Sequence, residues 1–199
     1  MHPLPKATKP LLFLASLLPL ARLVWLGFTD GLTANPIEYI THQTGTWALN
    51  FLLFTLAVTP LVRLTGYTPL TGLRRMLGLY SFFYAVLHFI TYIWLDQFFD
   101  FGHILHDIGK RPFITVGFAA FVLLIPLAAT STKAMMKRLG RRWKQLHRLV
   151  YPAAIFAVVH YYWLVKKDVT VPLEYAAVLA ALLLIRLLPR KATGGKRIT

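Results

Sequence analysis

Residues 76–96 read MLGLYSFFYAVLHFITYIWLD. The run is mostly apolar and aromatic, and its only ionisable residues besides tyrosine are one histidine near its middle, His88, and the acid that ends it. About 20 such residues, wound as a helix, cross the ~30 Å hydrocarbon core of a bilayer. An ionisable side chain placed there is expensive and is a functional candidate by default. This stretch therefore predicts a membrane helix that carries a site.

The same pattern recurs outward from it. Residues 147–165, HRLVYPAAIFAVVHYYWLV, hold His160 in a second aromatic setting. Four more apolar segments, at 10–28, 46–64, 113–131 and 171–188, complete six expected spans. Unbroken runs of this length mean helices, because only helices or closed barrels satisfy the backbone in lipid. The expectation is an all-α integral membrane protein, a six-helix bundle over residues 10–188, with tails at 1–9 and 189–199. Lys6 and Lys9 precede the first run and no small-residue cleavage site follows it, so it reads as a retained signal anchor.

Composition agrees. Of the 199 residues 57% are apolar and 15% charged, and mean hydropathy is +0.58, where a soluble domain has about 25% charged residues. The formal charge of +15 would suggest a polyanion partner in a soluble protein. Here it splits into clusters between spans, which excludes nucleic acid and points to the positive-inside rule and anionic lipid headgroups. With the N-terminus cytoplasmic, 17 of the 22 Lys and Arg fall at cytoplasmic ends and all seven acids fall outside. Both termini are then cytoplasmic. The stretch STKAMMKRLGRRWKQLHR before the fifth span reads as an interfacial amphipathic helix. The chain has no cysteine, which excludes disulfides, thiolate ligands and iron–sulfur clusters.

The two buried histidines lie at one depth. His88 is 13 residues past Arg75 and His160 is 13 residues past His147, on spans running the same way. Both sit about 20 Å from the cytoplasmic edge. Two imidazoles at one depth on two helices can hold a haem iron from both faces, which favours electron transfer over oxygen binding. The competing reading is that each histidine donates a hydrogen bond to a neighbouring helix and binds nothing. His147, at the cytoplasmic face, is a candidate ligand for a second, inner haem, but the third span offers only Arg74 or Arg75 at that level. Arg22 in the first span either snorkels to the interface or neutralises a haem propionate. His42, His103 and His106 are placed on the outer side, the last two in a solvated loop.

Together the six spans, His88, His147 and His160, and the stretches RRMLGLYSFFYAVLHFITY, KRPFITVGF and TSTKAMMKRLGRRWKQLHRLVY resemble a known family over roughly residues 10–190. It is the haem-binding membrane subunit of the bacterial periplasmic methionine-sulfoxide reductase system (YedZ or MsrQ), part of the ferric-reductase-like transmembrane group. His42 also looks family-like. The resemblance implies a multi-pass protein of the bacterial inner membrane that carries electrons and is not itself the catalytic subunit. It would take them from a cytoplasmic flavin reductase and deliver them to a periplasmic molybdopterin-containing reductase that repairs oxidised methionines. It implies b-type haem, and FMN has also been assigned to the family. The wider group commonly stacks two haems between two histidines on each of two helices, whereas the third span here has only His88. FMN at the basic face could fill the inner position, with Arg74, Arg75 and His147 as candidates to meet its phosphate. No flavin or nicotinamide domain is evident in the sequence, so the donor is a separate protein or quinol. Other readings are a quinol-oxidising cytochrome b, a histidine-based metal or proton transporter, and an assembly factor without cofactor.

Overall fold

The computed structural model describes residues 3–165 and 167–187. The C-terminal tail expected at 189–199 and His2 lie outside the described residues. Nine helices are described: α1 Thr8–Phe28, α2 Pro36–Thr65, α3 Arg74–Thr91, α4 Phe101–Lys110, α5 Pro112–Ala129, α6 Lys133–Leu139, α7 Arg141–Leu146, α8 Val150–Leu164 and α9 Thr170–Leu187. Among the described residues there is no strand. A 3-10 segment, Thr68–Leu73, leads into α3, and a wide turn, Tyr92–Asp96, ends it.

Among the described residues five stretches are long and apolar enough to cross a membrane: Thr8–Phe28, Pro36–Thr65, Thr68–Asp96, Pro112–Ala129 and Thr170–Leu187. The stretch expected as the fifth of six spans, 147–165, is not one long helix. His147–Leu149 form a 3-10 turn and α8 has 15 residues, about 22 Å of rise. Pro152 has no N–H to give the carbonyl four residues back, so the ladder tightens at that point. The basic stretch before it also departs from expectation. It forms two short helices, α6 and α7, broken at Gly140, whose φ of 48° is a conformation that side chains rarely take.

Helix α2 begins ten residues before the expected position. The Asn35 side chain accepts from the Glu38 N–H at 3.3 Å and Pro36 takes the first position, while Gly66 at φ 71° closes the helix. The polar run Thr41–Gly45 lies just before the span expected at 46–64, which was bounded by its apolar residues. Inside the fold Thr41, His42 and Gly45 line a cavity between helices, and His42 is on the helix. His103 and His106 are likewise on a helix, α4, which starts from the Asp100 side chain.

Two apolar clusters hold the bundle. Leu49, Leu52, Leu53 and Leu56 of α2 meet Leu124 and Leu127 of α5, Ala153, Ala154 and Val158 of α8, and Leu179 of α9. Ala153 and Ala154 are fully buried, and their small side chains let the α8 backbone approach closely. On the other side Phe51 and Val58 of α2 pack on Leu77, Tyr80 and Tyr84 of α3. The same tyrosines tie in α1. Tyr80 donates to the Phe13 carbonyl at 2.9 Å. Tyr84 accepts from the Leu20 N–H at 3.2 Å and donates to the Ser16 carbonyl at 2.8 Å. That hydroxyl inserts beside Pro19, where the α1 ladder lacks a donor.

Candidate functional site

α3 and α8 each deliver one histidine to a cavity of about 710 Å³ between α2, α3, α5 and α8. Such a volume is in the range of cofactor sites. His88 Nδ1 lies 2.9 Å from the Thr41 carbonyl on α2. His160 Nδ1 lies 2.7 Å from the Phe113 carbonyl on α5. A carbonyl only accepts, so in both rings Nδ1 carries the hydrogen. Each Nε2 then keeps its lone pair, the tautomer a metal ligand needs.

The ring centres of His88 and His160 are 6.1 Å apart at an interplanar angle of 69°. An imidazole nitrogen sits roughly 2 Å from a transition metal it binds and about 1 Å from its own ring centre, so rings sharing one ion stand about 6 Å apart. Two glycines shape the space behind the rings. A Cβ on Gly45 would meet His88 Nδ1 and Cε1 at 3.1 Å, and one on Gly117 would meet His160 Nδ1 at 2.6 Å. The phenyl ring of Phe113 stacks beside His160 at 6.2 Å, and Phe89, Phe118 and Phe121 form an aromatic wall.

Among the described residues no three His, Cys, Asp or Glu side chains gather to hold a metal ion. Two imidazoles alone suit an ion that brings its in-plane donors with it, as the iron of a porphyrin does. The donor set, the ring spacing, the glycine-backed rings and the apolar aromatic walls all fit a haem.

The other predicted residues lie elsewhere. His147 stacks on Trp143 at 3.8 Å, and its Nε2 is 3.1 Å from the Thr130 hydroxyl. Arg74 donates to the Thr59 hydroxyl at 2.9 Å. Arg75 lines a separate groove of about 530 Å³ with Lys9, Phe13, Tyr80 and Phe83. Arg63 donates to the Ile185 and Arg186 carbonyls at the end of α9, and Arg186 reaches Tyr151 and the Leu56 carbonyl. These cations gather where α2 and α9 end and α3 begins. Arg22 donates to the Tyr39 hydroxyl at 3.1 Å and is not among the residues lining the histidine cavity. Among the described residues the one Arg or Lys that lines it is Arg111, which the sequence marked only as an outer cation. Thr41, Gly45, Phe113 and Gly117 were also missed as site residues. Two act through backbone carbonyls and two through lacking a side chain, and neither leaves a chemical signal in a sequence.

The chain is similar to proteins of known family. Residues 44–158 match the family described as the ferric reductase like transmembrane component. Over 177 residues it is 56% identical to the protein-methionine-sulfoxide reductase heme-binding subunit MsrQ of Bordetella pertussis, covering 88% of this chain and 86% of that one. The subunit of the same name from Herminiimonas arsenicoxydans is 55% identical over 191 residues, 93% of this chain and 88% of that one. The one from Ralstonia nicotianae is 54% identical over 184 residues, 91% and 85% of the two chains. No solved structure matches. The family match covers more than half of the chain and the relatives most of it, and the chain belongs to the ferric reductase like transmembrane family and, within it, to the methionine-sulfoxide reductase haem-binding subunits.

Proposed function

We propose that this protein carries electrons across the bacterial inner membrane through a b-type haem held by His88 and His160, for a periplasmic methionine-sulfoxide reductase. The observation that carries the reading is the pair itself: two imidazoles 6.1 Å apart, each with Nδ1 committed to a backbone carbonyl of a neighbouring helix. His88 and His160 would hold the haem, and the group would supply one-electron transfer without binding a substrate. The protein's own part is to fix both rings, exclude water with the Phe89–Phe118–Phe121 wall, and keep the site near the outer face.

In this reading α8, with the turn before it, completes a sixth crossing, and both termini are cytoplasmic. The cations from Lys133 to Arg148 face a cytoplasmic flavin reductase, and the outer acids face the molybdopterin-containing partner. His147, Arg74 and Arg75 stand at the cytoplasmic end, where FMN or a second haem would relay electrons; quinol is the alternative donor. The relatives' name, a heme-binding subunit of protein-methionine-sulfoxide reductase, supports the partner and the cofactor class.

Proteoliposomes test it. With a flavin reductase and reduced nicotinamide trapped on the side of the termini and the partner reductase outside, methionine sulfoxide outside should be reduced. Because the chain lacks cysteine, Lys6→Cys and Arg190→Cys report orientation by labelling with an impermeant maleimide. Labelling of both from the periplasmic side, or transfer driven equally from either face, would overturn the reading.

A further inference from the structure

At the outer mouth of the histidine cavity three polar side chains form an arrangement that the helices alone do not need. The Asp107 side chain is 3% exposed, and its Oδ1 pairs with Arg111 Nε at 3.1 Å and lies 3.9 Å from His103 Nε2. Its second oxygen, Oδ2, has no partner, and neither has the buried hydroxyl of Tyr92. Arg111 is about half exposed, and among the described residues its side chain has no other polar partner, so both terminal amino groups of its guanidinium are unused. A buried acid paired to one edge of an arginine costs desolvation, and it stabilises a fold less than an apolar pair would. What it does achieve is to aim the other edge of the guanidinium.

The chain connects this arrangement to both axial histidines. Tyr92 is four residues after His88, one helical turn along the same face. Arg111 is two residues before Phe113, whose carbonyl holds His160. Both Tyr92 and Arg111 line the cavity. The nearby acids are already engaged, Glu38 by Asn35 at 2.9 Å and Asp96 by Gln97 at 2.6 Å.

We propose that Arg111 and Tyr92 bind a propionate carboxylate of the haem, with Asp107 as the positioning residue that holds the Arg111 fork toward the cavity. This rests on the haem reading above. A guanidinium fork matches a carboxylate with two parallel N–H donors, and the tyrosine hydroxyl adds a third. The site thereby orients the porphyrin edge toward the outer face. Arg22, bonded to Tyr39 outside the cavity, has no part in it.

The experiment measures haem release from the purified full-length protein to apomyoglobin, with protohaem and with its dimethyl ester, whose propionates are blocked. With protohaem, Arg111→Gln should release haem about tenfold faster than wild type, the loss expected for a charge-assisted hydrogen bond. Tyr92→Phe should release it a few-fold faster, and Arg111→Lys should lie between Arg111→Gln and wild type. The reduction potential should fall in Arg111→Gln, because a cation near the oxidised iron is removed. All variants should keep the low-spin spectrum. With the dimethyl ester, wild type and Arg111→Gln should release alike. Equal release of protohaem by wild type and Arg111→Gln, or an undiminished difference with the ester, would overturn the proposal. If Arg111→Gln does not fold, the wild type decides: equal retention of protohaem and ester contradicts it. Loss of the low-spin spectrum in His88→Ala, measured alongside, keeps the haem reading separate. If that spectrum persists, it is the haem assignment that fails.

Discussion

Gly117 lies so close to His160 that a single methyl group on its Cα would stand 2.6 Å from Nδ1 and 2.9 Å from Cε1 of the imidazole. These are the atoms on the side of the ring bonded to Phe113, so α5 fixes the ring by contact as well as by hydrogen bond. Gly117→Ala must turn the ring or separate α5 from α8. We expect it to lose most of its haem per mole of protein. Gly45→Ala, where the contacts to His88 are 3.1 Å, should lose less. Haem content by pyridine haemochrome measures both, and a Gly117→Ala protein with full haem would show that the ring is not held this way.

Tyr84 predicts a stability effect without a redox effect. Its hydroxyl serves Leu20 and Ser16 of α1, and it is fully buried. Tyr84→Phe leaves both backbone groups unsatisfied next to Pro19, at a cost of about 1–3 kcal/mol. Thermal melting in detergent should show a lower midpoint, with the haem potential unchanged. An unchanged midpoint would mean that α1 satisfies its own ladder.

In the proposed reading His147 stands at the inner end, apart from the His88–His160 site. Its partners are Trp143 and Thr130, none of which touches His88 or His160. His147→Ala should therefore keep the low-spin spectrum of the outer haem and slow reduction by a cytoplasmic donor. Wild-type rates would leave His147 a purely structural role.

The seven cations from Lys133 to Arg148 predict a salt effect. Docking of an acidic donor on this face should weaken as the Debye length shrinks from about 10 Å at 0.1 M to about 3 Å at 1 M. Stopped-flow reduction should slow accordingly. A rate independent of ionic strength would leave the cluster to set topology and bind lipid alone.

Much of this was legible in the sequence, for physical reasons. Hydropathy marks helices that must lie in lipid, and His88 and His160 are conspicuous because charge-capable groups are rare there. Equal counts from a basic edge anticipated that the two would meet. Where the sequence misled, the local signal was ambiguous. Thr41–Gly45 is polar and fell outside the expected span, yet it is helix, and Thr41, His42 and Gly45 line the cavity. Pro152 shortened α8, and Gly140 split the basic helix. Arg22 stood out as an intramembrane cation, but it bonds Tyr39, while Arg111 was hidden among ordinary outer charges. Its place beside the cavity depends on how α4 and α5 pack, which no local pattern encodes.

The central claim is that His88 and His160 together hold one low-spin haem. The most direct measurement is the low-temperature electron paramagnetic resonance and visible spectrum of His88→Ala and His160→Ala, each with and without added imidazole. The account predicts that either replacement abolishes the low-spin signal and that imidazole restores it by filling the vacated position. A low-spin spectrum retained in both variants without imidazole would contradict it.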